Sequence, residues 1–232
     1  MGRLNDGTPY EDERKRALEI QLIAKTPNYL KTCWTAARTC YSADSPIELL
    51  AEEKSEADML RLLERIMTSK HLSVVEHCSM TFAVKGVSRT LLAQYSRHRI
   101  GVSLSVQSQR YVSEQSEKQA DGIFAHVVPE TIREKEAAYV RYMETMQVIQ
   151  KAYDDLLALG VAKQDARFVL PGAACTNFVT TLNLRSFMDV YEKRVTTPGA
   201  QWEIRDMMLG MRDLLVEEEP WLARYIVKPE VR

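Results

Sequence analysis

Between residues 96 and 112 the chain reads SRHRIGVSLSVQSQRYV. Arg97, His98, Arg99 and Arg110 share this stretch with four serines and two glutamines. Adjacent guanidiniums repel, and holding them together is favourable when an anion lies between them. The planar fork of arginine suits phosphate, and hydroxyls, amides and backbone N–H groups can complete an anion cradle. Two plainer readings stand beside this one. The triplet can be a solvated basic loop, or, with Tyr111 for stacking, an RNA-binding patch.

Other donors point the same way. His71 and His77 flank LSVVE, ahead of an expected strand. Gln94 lies three residues before Arg97, so on a helix the two would share a face. Asn183 and Arg194 are eleven apart, which on a regular helix returns to nearly the same face. Arg167 and Arg185 add two more donors. Many donors and few acceptors suit a multiply anionic ligand. Cys78 follows His77, which raises a Cys/His nucleophile; a buried structural cysteine is the expected reading, since free cysteine is usually buried. Cys33, Cys40, Cys78 and Cys175 form no CxxC pair, and no HExxH occurs, so no metal site is expected. GxGxxG and Walker patterns are absent, which argues against a Rossmann dinucleotide site.

The bulk properties confine any anion-binding surface to a local patch. The 232 residues are 45% hydrophobic and 27% charged, with a formal net charge of −1. Such a balance gives no general attraction to nucleic acid or to an anionic membrane, and neither partner is expected. No run of about 18 apolar residues is present, so no membrane span is expected. Residues 1–17 read as a polar leader without a secretory core, and a reduced, cytoplasmic chain is the expectation.

The elements that must position these donors follow from periodicity and caps. EIQLIAK alternates as a strand, and residues 28–42 carry Leu30, Trp34, Ala37 and Tyr41 at helical spacing. Ser45 and Pro46 start a long helix running through residues 47–69. SMTFAVKGV is a second strand with Met80, Phe82 and Val84 on one face, and Ser88 caps a helix lasting at least to Tyr95. FAHVVP reads as a short strand. Thr131 and Glu134 make a capping box for a helix from Ile132 to Leu159, stopped by Gly160. After Pro171 an extended piece leads to a helix in LRSFMDVYEKRV, and Thr197-Pro198 opens a last helix. The fold class is α/β (α+β): a single domain over residues 18–232, with long helices on a modest, mostly antiparallel sheet.

Together these residues resemble one family, the flavin-dependent thymidylate synthases. RHR, a serine-rich spacer and SQRYV look like its signature. AARTCYS, HLSVVEHCSMTF, QYSRHR, ARFVLP, NLRSFMDVYEKR and AQWEIR follow in the expected order, so the similarity covers roughly residues 18–216. The resemblance implies reductive methylation of dUMP to dTMP. Methylenetetrahydrofolate would give the carbon and NADPH-reduced FAD the hydride, in a homotetramer with shared active sites. It also implies a family-specific FAD-binding fold, which removes the objection that no Rossmann fingerprint is present. Carried over by motif, Ser73, Arg97, His98, Arg99, Asn183, Arg185 and Asp189 would contact FAD. Gln94, Arg97, Gln107, Ser108, Gln109, Arg110 and Arg167 would hold dUMP, with Arg110 and loop amides on its phosphate. Arg194 would sit by the uracil ring and stabilise the negative charge that builds as C5 becomes nucleophilic. His71 would lie near flavin and folate, and these two are the expected catalytic residues.

The sequence departs from that pattern twice. Eight residues, IGVSLSVQ, separate RHR from Ser108 where the family has seven, and Val106 stands where an acid or glutamine is usual. Which of Ser103, Ser105 and Gln107 faces the ligand is left open. Asp189 stands where asparagine is common. The alternative functions are a nucleic-acid-binding module using the Arg/Tyr cluster and a family member that binds nucleotide without turnover.

Overall fold

The computed structural model describes residues 18–229; the polar leader 1–17 lies outside them. Four strands form an antiparallel sheet in the order β1-β2-β4-β3. They are β1 (Glu19–Lys25), β2 (Ser79–Ser88), β3 (Val102–Val106) and β4 (Cys175–Asn183). The helices are α1 (Tyr29–Thr39), α2 (Pro46–Ala51), α3 (Glu56–Thr68), α4 (Arg89–Tyr95), α5 (Glu130–Arg133), α6 (Glu136–Ala158), α7 (Lys163–Ala166), α8 (Leu184–Tyr191) and α9 (Trp202–Glu218). The expected mixed class with a modest antiparallel sheet is what the chain adopts.

The described residues form two compact units, each assembled from separate stretches of chain. One contains residues 18–19, 84–94 and 106–178; the other contains 20–83, 95–105 and 179–229. In the second unit Tyr29, Cys33, Phe82, Phe187, Met207 and Met211 are fully buried. Each such side chain contributes roughly 1.5–3 kcal/mol of apolar burial. The Tyr29 hydroxyl donates to the Ser79 carbonyl at 2.6 Å, tying α1 to the start of β2. Cys33 and Cys78 face each other as thiols at 3.4 Å, both fully buried, so Cys78 is structural as expected. In the first unit Phe124, Met146 and Ala174 pack with Ile123, Tyr142, Ile149 and Leu170. Gln150, buried in α6, accepts from Phe124 N at 2.7 Å and donates to Glu114 O at 2.9 Å and Asp154 Oδ1 at 3.1 Å.

Several local expectations need correction. Ser45 does form a capping box with Glu48, but the helix it starts ends at Ala51. Ser55 then caps α3 by accepting from Asp58 N, so one expected helix is two. A second good N-cap inside the polar stretch competes with continuing the first helix. Thr131 and Glu134 cap nothing, because Pro129 precedes α5 and the chain re-enters a helix only at Glu136. FAHVVP reduces to a single bridge, His126 to Ala174. The last helix is capped by Gln201, whose Oε1 accepts from Glu203 N and Ile204 N, and not by Thr197. The serine-rich spacer, to which the sequence assigned no element, contains a strand. VSLSV is β3, with Val102, Leu104 and Val106 less exposed than the intervening Ser103 and Ser105. The alternation is there, but serines occupy the outward positions and disguise it.

Candidate functional site

The residues expected to bind ligands fall into two clusters, one in each unit. The first lies at the start of α8. Asn183 is its N-cap, with Oδ1 accepting from Ser186 N at 2.8 Å. Asn183 N donates to Gly101 O at 3.2 Å, just beyond the RHR triplet. Gly101 has φ +63°, and a Cβ there would come within 2.3 Å of Ser186 Oγ and 2.5 Å of Asn183 Nδ2. Only glycine lets the loop lie this close to the cap. α8 runs into a π-turn, Glu192–Thr196, that carries Arg194. Such turns are frequent at functional sites, and the widened geometry breaks the regular spacing assumed between Asn183 and Arg194.

The π-turn delivers Arg194 to the triplet. Its Nε donates to His98 Nε2 at 2.9 Å. Arginine can only donate, so the His98 ring is neutral and carries its proton on Nδ1. Burial holds the His98 pKa below its ordinary value, and Arg194, Lys193 and Arg97 push the same way against Asp189. Behind it, Tyr95 is fully buried with its ring 6.3 Å from the imidazole. The Tyr95 hydroxyl pairs with Thr180 Oγ1 at 2.9 Å, and Thr180 Oγ1 donates to Ser103 O at 2.9 Å. Since Thr180 has one proton and spends it on Ser103, Tyr95 is the donor to Thr180. Burial raises the Tyr95 pKa to about 12, so the phenol stays protonated.

The remaining members of this cluster are less constrained. Arg97 and Arg99 are exposed, and among the described residues neither has an ion-pair partner. Arg185 is paired with Glu76 at 2.5 Å and Asp189 with Lys193 at 2.7 Å, both at the surface. His71 and Ser73 are exposed at the start of a 3-10 turn, Leu72–His77, that packs on α8. A groove of about 500 Å³ is lined by Leu72, Arg185, Met188, Asp189, Tyr191 and Glu192, with others from the C-terminal segment.

The second cluster is rooted where the spacer meets the sheet. Gln107 N donates to Asn177 O at 2.9 Å, and Asn177 Nδ2 returns a bond to Gln107 Oε1 at 2.7 Å. Gly86 N donates to Asn177 Oδ1 at 3.0 Å. Gln107 thus continues the exposed face of Ser103 and Ser105, with its side chain committed to the sheet. Its carbonyl accepts from Arg89 Nη2 at 3.1 Å. The chain then turns: Ser108 Oγ accepts from Arg110 N at 3.2 Å, and Ser108 O from Tyr111 N and Val112 N. Arg110 lies 5.7 Å over the Tyr111 ring and reaches Gln164 Oε1 at 3.5 Å. Arg167 Nε donates to Gln164 O at 3.0 Å. Two guanidiniums therefore converge on one glutamine.

Burial lowers the Arg89 pKa; Glu114 opposes that shift and Arg167 adds to it. The Glu114 carboxyl is raised by burial, with Arg89 partly offsetting it. Gln109 is 8% exposed, and its Nε2 is buried without a partner, which costs about 1–3 kcal/mol if nothing meets it. Gln94 is half-buried near the end of α4. Because α4 stops at Tyr95, Gln94 and Arg97 do not share a helix face. Sequence reasoning passed over Arg89, Glu114, Gln164, Asn177 and Thr180. The Ser88 cap, which accepts from Leu91 N at 2.9 Å, was the one sequence signal that fixed where Arg89 begins its helix. Among the described residues no group of His, Cys, Asp or Glu could hold a metal ion.

Comparison with known proteins gives a consistent picture. Residues 21–221 match the family described as thymidylate synthase complementing protein. A flavin-dependent thymidylate synthase from Nitratidesulfovibrio vulgaris is 40% identical over 215 residues, spanning 85% of this chain and 84% of that protein. One from Geobacter sulfurreducens is 39% identical over 207 residues, spanning 89% and 86%. Among solved structures, a UMP/dUMP methylase from Streptomyces cacaoi bound with 5-Br dUMP aligns with a TM-score of 0.75 at 22% identity, covering 86% of this chain and 90% of that one. Thymidylate synthase X from Helicobacter pylori with FAD and dUMP aligns at 0.67 and 23%, covering 91% and 100%. At these identities the two structures speak for the fold alone.

Proposed function

The chain belongs to the thymidylate synthase complementing protein family, and from that premise we propose that it is a flavin-dependent thymidylate synthase converting dUMP to dTMP. Methylenetetrahydrofolate gives the carbon in this reading, and NADPH reduces the flavin. The observation that carries it is the bond from Arg194 to neutral His98, which joins the NLRSFMDVYEKR motif to the RHR triplet in one unit. The nucleic-acid alternative lacks any comparable support.

The donor set of the α8 cluster fits FAD. Arg97 and Arg99 are exposed guanidiniums without ion-pair partners among the described residues, which suits a pyrophosphate. His98, Ser73, Asn183, Arg185 and Asp189 would complete the hold, and bound FAD supplies the hydride. Arg194 then performs an electrostatic role. His98 accepts at its Nε, which leaves both Nη nitrogens of the fork for a ligand. There the cation stabilises negative charge developing on the uracil ring as C5 becomes nucleophilic. His71 lies by the flavin and folate in this reading.

The spacer cluster holds dUMP. Arg110, Arg167 and the Ser108 turn take the phosphate, with Gln94, Arg97 and Gln109 also on the nucleotide. Gln107 acts by anchoring the turn to Asn177. The working assembly is a homotetramer with shared active sites, and the reaction is placed in the cytoplasm; no described helix is long and apolar enough to cross a membrane. The test is direct. Purified protein should be yellow with flavin absorbance, and dUMP should stimulate NADPH oxidation and yield dTMP. A colourless protein that takes up no FAD and binds no dUMP sinks the proposal.

A further inference from the structure

Two threonines between the NLRSFMDVYEKR and AQWEIR motifs hold the π-turn that carries Arg194. Thr196 Oγ1 and Thr197 Oγ1 each donate to Glu192 O at 2.9 Å, and Thr197 N donates to the same oxygen at 2.9 Å. In a regular α-turn that carbonyl would take the Thr196 N–H. Here the hydroxyls occupy it, and back-bonding of this kind bends a helix. A backbone carbonyl has two lone pairs, so three donors saturate it. Pro198 completes the arrangement, because the residue before a proline is kept out of the α region. Thr197 is extended, with φ −74° and ψ 128°, so the helix ends there on its widened bond.

Packing alone does not fix the width of this turn. Val195 is buried and the turn packs on α9. Thr196, Thr197, Pro198 and Gly199 are exposed and, with Arg205, line a groove of about 570 Å³. Hydrogen bonds to Glu192 O therefore set the width. Relaxing to a regular α-turn would swing side chains of the turn through as much as roughly 100°. The Arg194 Nε would then leave His98 Nε2, which it meets at 2.9 Å. We propose that Thr196 and Thr197 are positioning residues for Arg194: their hydroxyls hold the π-turn at the width that brings the guanidinium to His98 and so aims its open fork. This rests on the role that the proposed function gives to Arg194.

The test compares wild type with a double variant, Thr196→Val with Thr197→Val, which keeps the shape and removes both hydroxyls. A second double variant, Thr196→Ser with Thr197→Ser, restores them. On FAD-loaded protein, turnover at saturating dUMP should fall about tenfold in the Val pair, the scale of one to two neutral hydrogen bonds, with the dUMP Kd unchanged. The second readout needs no activity: the His98 titration, followed by NMR of labelled histidine and identified by its loss in His98→Gln. The charged groups around that ring are Arg194, Lys193, Asp189 and Arg97, and Arg194 holds its pKa down. Moving Arg194 away should raise the His98 pKa in the Val pair, and the Ser pair should restore both wild-type values. If the Val pair does not hold FAD, the two single Val variants are read in the same way. An unmoved titration overturns the proposal, as does a Ser pair that behaves like the Val pair. An equal loss of dUMP affinity also overturns it, since the threonines would then be struts for the fold. A raised pKa with unchanged turnover upholds the aiming of Arg194 and rejects its catalytic role. Wild-type protein that makes no dTMP would sink the functional reading, and the titration would still judge the threonines.

Discussion

The two clusters hold their arginines by opposite means. At α8, Arg194 is held by a neutral acceptor: His98 takes its Nε proton, and the imidazole stays uncharged beside three cationic side chains. At the spacer, Arg89, Arg110 and Arg167 are held by a backbone carbonyl, a side-chain amide and a second backbone carbonyl. The first device aims one guanidinium and leaves its fork open. The second assembles several like charges with little compensation. A single aimed cation suits charge that appears only during reaction, whereas a standing excess of cations suits a ligand already anionic before reaction. In the proposed function this difference divides a catalytic part from a binding part.

Removing the aimed cation should have the largest effect. Arg194→Ala should lower dTMP formation by about 10²–10³-fold, the scale of losing one preorganised electrostatic donor. Bound FAD and dUMP affinity should change far less. Turnover measured with saturating dUMP checks this, and unchanged turnover would reject the catalytic assignment. Arg167→Gln should show the converse pattern. We expect dUMP affinity to fall by about ten- to a hundredfold, as for one charge-assisted contact, with turnover at saturation nearly retained. A fall in turnover alone would erase the division between the clusters.

Much of the scaffold under this division is legible in the sequence. Met80, Phe82 and Val84 announce β2 by alternation, and Ser88 announces α4, because these signals are local. β3 escapes because serines stand at its outward positions, and a strand so polar is settled by its sheet partner: Asn177 pairs with Gln107 across 70 residues. The site residues expected from the motif do collect into clusters, but the devices that hold them were out of reach. The π-turn at Glu192–Thr196 has no period of its own to detect, and Arg89 acquires its partner only where Gln107 lands. Local chemistry can be read along the chain; the partners that orient it come from distant segments.

The neutral acceptor makes the α8 cluster pH-dependent. The folded His98 pKa lies below the ordinary value of 6.5. The bond from Arg194 is therefore fully present above 6.5 and is lost as pH falls through the lower folded value, when Nε2 gains a proton. The charged groups around the ring are Arg194, Lys193, Asp189 and Arg97. Turnover should show an acid limb below pH 6.5, and His98→Gln, whose amide oxygen accepts without titrating, should remove it. A limb that survives in His98→Gln would assign it to another group.

The smallest effect tests how finely that limb is set. Asp189 alone among those groups raises the His98 pKa, and it is paired with Lys193 at 2.7 Å on the surface of α8 and its π-turn. Exposed pairs of this kind contribute only about 0.3–0.5 kcal/mol on a helix, so Asp189→Asn should barely alter melting. It also frees the Lys193 cation to act on the ring. Both changes disfavour imidazolium, so the acid limb should move to lower pH. The Arg167→Gln variant should leave the limb where it is, because the charges that shift His98 are those of Arg194, Lys193, Asp189 and Arg97. A limb that moves upward in Asp189→Asn would mean that the carboxylate works on the ring through something other than its charge.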